Sequence, residues 1–108
     1  MPDPPPILFR WADIELDRVT EMVSRKEIHC EGESFVQTYL KKGALVPKHA
    51  HPGHQWVYVL QGVLRVTSAG TSVVANEGDV VRIAAGADHQ AEAMDDTFVL
   101  AVTTGDDR

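Results

Sequence analysis

From about Met22 onward the chain is a succession of short segments rich in Val, Ile, Thr and Tyr, interrupted by Gly, Asn or Asp. The interruptions fall at Glu31-Gly32, Gly43, Pro52-Gly53, Gly62, Ala69-Gly70, Asn76-Glu77-Gly78, Gly86-Ala87-Asp88 and Asp95-Asp96. Strand-and-turn punctuation at roughly 8–12-residue spacing is the pattern of an all-β sandwich or barrel. It predicts strands at 20–29, 34–41, 45–50, 55–60, 63–68, 72–76, 80–83, 89–93 and 97–103, and no helix after Glu27. Ile7 to Val19 carries apolar residues without a clean period, with room for a short helical turn after Trp11.

Residues two apart in a strand point to the same side of the sheet. If Gln55 faces inward, Val57, Val59 and Gln61 face inward with it, leaving Trp56, Tyr58 and Leu60 outside. A half-exposed sheet alternates apolar with polar, and this segment is apolar on both sides. Its outer face therefore needs a cover, from the Ile7 to Val19 segment of the same chain or of a partner, and a homodimer is expected. In the 34–41 segment Phe35, Gln37 and Tyr39 share one side and Val36, Thr38 and Leu40 the other. Gln37 and Tyr39 are the polar candidates for the barrel wall. No carboxylate is clearly directed inward.

With 108 residues, 44 % hydrophobic and 24 % charged, the chain has the make-up of one globular domain. A flexible proline-rich leader is expected over residues 1–6 and a single domain over 7–108. Ten Lys and Arg against sixteen Asp and Glu give a net charge of −6, and no basic cluster exceeds the pairs Arg25-Lys26 and Lys41-Lys42. That balance argues against a nucleic-acid partner. The longest apolar runs, Trp56 to Leu60 and Phe98 to Val102, are five residues each, against roughly 20 for a membrane-spanning helix. The start of the chain lacks the basic and apolar regions of a secretory signal. The lone Cys30 has no intramolecular partner, which fits a reducing cytoplasm and a half-buried thiol.

The chemistry is concentrated in histidine. His49, His51 and His54 fall in the run Lys48-His49-Ala50-His51-Pro52-Gly53-His54-Gln55, and His89 follows Gly86-Ala87-Asp88. In a strand His49 and His51 present their imidazoles side by side, which suits a metal ion. Gln55 opens the next strand and can aim back at the same space. In a closed antiparallel barrel the strand that begins at His89 could pass opposite the first pair. His54 has the wrong parity to join them and reads as a turn or rim residue, and His29 reads as an exposed strand end. Surface histidines in a turn remain the alternative for an isolated His-x-His.

The surrounding residues give this pair a specific frame, and on them the chain resembles the cupin family. The first cupin motif, G-x5-H-x-H-x3,4-E-x6-G, is met by Gly43, His49, His51, Gln55 and Gly62. In the second, G-x5-P-x-G-x2-H-x3-N, the chain has Gly78, Ala84, Gly86, His89 and Ala93, with Ala84 and Ala93 in place of the Pro and Asn, so seven of ten signature positions match. The resemblance implies a double-stranded β-helix, the jelly-roll barrel, holding one divalent transition metal (Zn, Ni, Mn or Fe) on His49, His51, Gln55 and His89. Gln55 stands where the family carries glutamate. Three imidazoles and an amide cancel none of the ion's charge, making it a stronger Lewis acid and shifting weight from oxygen activation toward redox-neutral chemistry. Because imidazoles must be neutral to bind metal, occupancy is expected to fall as pH drops below about 6.

The run Tyr39 to Pro47, together with the four ligand positions, looks like the uronate-linearising cupins of pectin and alginate breakdown. Those are small homodimers that open unsaturated uronate rings at a metal held by three His and one Gln. Their last strand reads approximately Leu-Asp-Val-Phe-Ser, and here the run is Leu100-Ala101-Val102-Thr103-Thr104, so the implicated aspartate and phenylalanine are Ala101 and Thr103. The resemblance thus implies a metal-dependent lyase or isomerase acting on a small oxygenated substrate such as an unsaturated uronate. The alternatives are a non-catalytic module that binds or senses a small molecule, and a metal-dependent dioxygenase.

Overall fold

The computed structural model describes residues 3–105. The first two residues of the expected leader and the last three of the expected domain lie outside them. Residues 3–10 carry no helix or strand and are exposed, and Trp11–Asp13 form the short helical turn, a single 3-10 turn. No α-helix occurs among the described residues, and no helix is long and apolar enough to cross a membrane.

Ten strands follow: β1 (Asp17–Arg18), β2 (Val23–Cys30), β3 (Glu33–Leu40), β4 (Leu45–His49), β5 (His54–Gln61), β6 (Val63–Ser68), β7 (Thr71–Asn76), β8 (Val80–Ile83), β9 (His89–Ala93) and β10 (Thr97–Thr104). They form a six-stranded sheet in the order β1-β2-β3-β10-β5-β8 and a four-stranded sheet in the order β4-β9-β6-β7, with every pairing antiparallel. This is the all-β jelly-roll barrel that the punctuation and the resemblance imply.

Nine of these strands correspond to the expected segments, with β2 beginning later than expected. β1 has no counterpart, because two exposed charged residues carry no alternation to read. The core fills the space between the sheets with Val57 and Val59 of β5, Leu64 and Val66 of β6, Ile83 of β8 and Val99 of β10. Val59 is fully buried, and Gln55, Val57 and Val59 face inward as expected, whereas Gln61 is exposed, because the pairing with β10 shifts register at Phe98/Val99 opposite the end of β5.

β3 corrects the sequence reading. Ser34 and Leu40 are buried and Val36 and Thr38 face the barrel cavity, so the even positions point inward. Gln37 and Tyr39 are therefore on the outer face, where Tyr39 stacks on Phe98 with ring centroids 4.2 Å apart. The strand turns its small and β-branched side inward and its aromatic side outward, which keeps the barrel hollow.

Candidate metal centre

A cavity of about 680 Å³ opens between the sheets, of the size that holds a small-molecule ligand. His49, His51, Gln55 and His89 all line it. The ligand-capable nitrogens of His49, His51 and His89 lie within 4.8 Å of one another. The ring centroids are 4.7 Å apart for His49 and His51, 4.3 Å for His49 and His89, and 5.3 Å for His51 and His89.

Convergence follows from pairing across the second sheet. His49 closes β4 and His89 opens β9, and their Cα atoms are direct partners in the antiparallel ladder. The loop carrying His51 is tied to the turn before His89, since the Gly86 N–H donates to the His51 carbonyl at 2.8 Å. The Ala85 N–H donates to His54 Nδ1 at 3.2 Å, so His54 is an exposed residue that holds this turn. It is not among the cavity-lining residues.

Two rings are also held in one tautomer. His49 Nδ1 donates to the Pro47 carbonyl at 2.8 Å, and His89 Nδ1 donates to the Ala87 carbonyl at 3.0 Å. With Nδ1–H committed to the backbone, each ring presents a lone pair on Nε2, the arrangement found in metal-ligating histidines. Burial pushes His89 below the ordinary histidine pKa; its bond to Ala87 opposes this, the neighbouring His49 reinforces it, and Asp88 opposes it. The net direction favours the neutral ring, which is the form that binds metal. These three residues could hold a metal ion.

Gln55 sits beside them, its side-chain amide nitrogen 3.4 Å from His51 Nε2 and donating to Thr103 Oγ1 at 3.2 Å. Thr103 therefore has a part the sequence did not reveal, as the partner that fixes the Gln55 amide. Ala101, at the other departure from the uronate pattern, packs against the core. Cys30 is half-buried at the end of β2.

The cavity wall corrects a second expectation. Arg25, Glu27 and His29 on β2 line the same cavity as the histidines, so the interior does contain a carboxylate. Glu27 lies 3.3 Å from Arg25 Nε through one oxygen and 3.2 Å from His29 Nε2 through the other. His29 is an exposed strand end as read, yet it also faces the cavity mouth. Alternate charged residues in phase with the buried Val23 were the available signal; they pass for a solvent face because the cavity is open to water.

A hollow two-sheet antiparallel barrel with three imidazoles converging on one point defines a small jelly-roll protein with a candidate metal site. A family model described as the cupin domain matches residues 35–104, and the chain belongs to that family. Among solved structures, KdgF from Halomonas sp. is similar at 24 % identity and TM-score 0.80, covering 92 % of this chain and 94 % of that one. An RmlC-like cupin from Shewanella frigidimarina is similar at 21 % identity and TM-score 0.81, covering 90 % and 88 %. Oxalate decarboxylase from Bacillus subtilis, a protein with Mn(II) centres, is similar at 24 % identity and TM-score 0.82, over 93 % of this chain but 29 % of that one. No curated protein matches the chain.

Proposed function

We propose that the protein binds one divalent transition metal ion through His49, His51, His89 and Gln55, and is a redox-neutral enzyme of the lyase or isomerase type. Its substrate would be a small oxygenated molecule such as an unsaturated uronate. The observation that carries this reading is the imidazole triad with two Nδ1 atoms pinned to backbone carbonyls, which leaves matched lone pairs at one point of an open cavity. Gln55 would contribute its carbonyl oxygen while its amide nitrogen keeps the bond to Thr103. A bound ion would act as a Lewis acid on a substrate oxygen. The protein's own part is to orient that oxygen, confine it within the barrel and supply titratable groups, Glu27 and His29, from the opposite wall.

The open cavity and its carboxylate favour an enzyme over a sealed binding module. The substrate screen follows turnover by NMR, with metal-loaded protein offered unsaturated uronates and small keto acids. Conversion that disappears on chelation and returns on reloading is expected. Ligand binding without turnover across the panel would move the protein to the binding-module class, and oxygen consumption by the iron-loaded form would restore the dioxygenase reading.

The assembly reading is that the protein is a homodimer through the outer face of the larger sheet. In register across that face lie Phe35, Val102 and Trp56 in one row, and Leu100, Tyr58 and Val80 in the next. Trp56 and Tyr58 remain 45 % and 41 % exposed, and Ile7, Leu8 and Phe9 of the same chain are exposed as well rather than folded down as a cover. A second copy would bury both. Light scattering at micromolar concentration should give twice the chain mass, and Tyr58→Glu should reduce it to one chain. A wild-type protein that is monomeric under those conditions contradicts the dimer.

A further inference from the structure

We propose that Arg25 is the anchor for a substrate carboxylate, so that the cavity takes small acids with the acid group on β2 and the remaining oxygens toward the histidines. The proposal deepens the metal-site reading and takes from it only the direction in which the ligand lies. It starts from how Arg25 is held. Its Nε is shielded from solvent and makes no hydrogen bond, and it lies between two carboxylates at ion-pair distance, Glu27 at 3.3 Å and Asp17 of the adjacent β1 at 3.7 Å. Among the described residues no acceptor engages the two terminal nitrogens, and the side chain, 42 % exposed, lines the cavity.

An arginine whose Nε is buried between two carboxylates keeps its terminal nitrogens as a two-pronged donor, the geometry that matches a carboxylate. Arg25, Glu27 and His29 lie on one side of β2 and line the cavity together. His29 pairs with Ser34, Ser34 with Thr103, and Thr103 with Gln55, so one cross-strand row of cavity residues joins that end of β2 to the candidate metal site. Glu27 is a positioning residue, since one oxygen holds Arg25 and the other contacts His29.

Charge points the same way. A divalent ion on neutral imidazoles, together with Arg25, outweighs the charges of Asp17 and Glu27, and an open cavity with that balance attracts an anion. A neutral ligand of the same shape would leave the arginine fork bound only to water. Ligands should therefore be ranked by whether they carry a carboxylate at the end remote from the metal.

The test compares galacturonate with galactose, which share a ring and differ in carboxylate against hydroxymethyl, by titration calorimetry on the zinc-loaded full chain. Wild type should bind galacturonate at least about tenfold more tightly than galactose, the scale of a charge-assisted hydrogen-bond pair. Arg25→Gln should bring the two sugars together with metal content and melting temperature unchanged. Arg25→Lys, which keeps the charge and supports the fold, should recover only part of the preference. A wild type that does not prefer the acid, binding of neither sugar, or an unchanged preference in either folded variant overturns the proposal. The same titration on metal-free protein separates the two readings. An Arg25-dependent preference in a chain that takes up no metal would leave the anchor standing and remove the metal site, and stoichiometric metal without acid preference would do the reverse.

Discussion

His89→Ala is expected to reduce retained metal, after chelation and reloading, from about one equivalent to a small fraction of it, a loss of roughly a hundredfold or more in affinity. Replacing a partner that only orients a ligand typically costs 10- to 100-fold, and removing a ligand costs more. His89 comes from β9, the strand paired with β4, and without it only two imidazoles and the Gln55 amide remain around the site. Its position is specified on every side. The residue is 4 % exposed, its Nδ1 is held by Ala87, and the turn before it is tied to the His51 loop. The melting temperature gives a second readout, because a ligand that binds only the folded state raises stability by mass action. Zinc should raise the wild-type melting temperature and leave that of His89→Ala unmoved. Equal metal content in the two proteins would remove His89 from the site.

Gly62→Ala should be the most destabilising single methyl added to this chain, by roughly 3 kcal/mol or more. Gly62 turns β5 into β6 at φ +92°, a conformation that L side chains rarely adopt. A Cβ there would lie 2.3 Å from the Asp96 carbonyl oxygen and 2.7 Å from the Thr97 Cα, both backbone atoms. The neighbouring chain cannot simply move away. Thr97 is buried, and its hydroxyl accepts the Val63 N–H at 3.2 Å and has the carbonyls of Asp95 and Val63, at 2.8 and 3.1 Å, as acceptors for its one proton. Gly70→Ala is the internal control, since its φ of +75° carries the same backbone strain with nothing within 4 Å of the added carbon. It should cost about 1 kcal/mol. A thermal melt should place the midpoint of Gly62→Ala roughly 12 °C or more below wild type, with Gly70→Ala well above it. Equal midpoints for the two variants would show that the hairpin tolerates the displacement.

The strands were legible because turn residues mark their ends and period-two alternation marks their faces, as in β5, where Gln55, Val57 and Val59 face inward as read. The cupin motif fixed which histidines to watch. Convergence itself was not a local property, for it depends on His49 pairing with His89 across strands 40 residues apart in sequence. The two failures share a cause. Reading Gln37 and Tyr39 as wall residues, and finding no inward carboxylate, both assume that an inner face is more apolar than an outer one. This barrel reverses that locally. Its outer face carries Phe35, Tyr39, Trp56 and Tyr58, and its inner face at β2 carries Arg25, Glu27 and His29 around an open cavity.

Anomalous diffraction from crystals of untagged, metal-loaded protein tests the central claim most directly. The account predicts a single strong peak inside the barrel, about 2.0–2.2 Å from Nε2 of His49, His51 and His89 and within reach of the Gln55 amide oxygen. A barrel that takes up no ion there, or one whose ion sits on other residues while His89 turns away from His49 and His51, would contradict it.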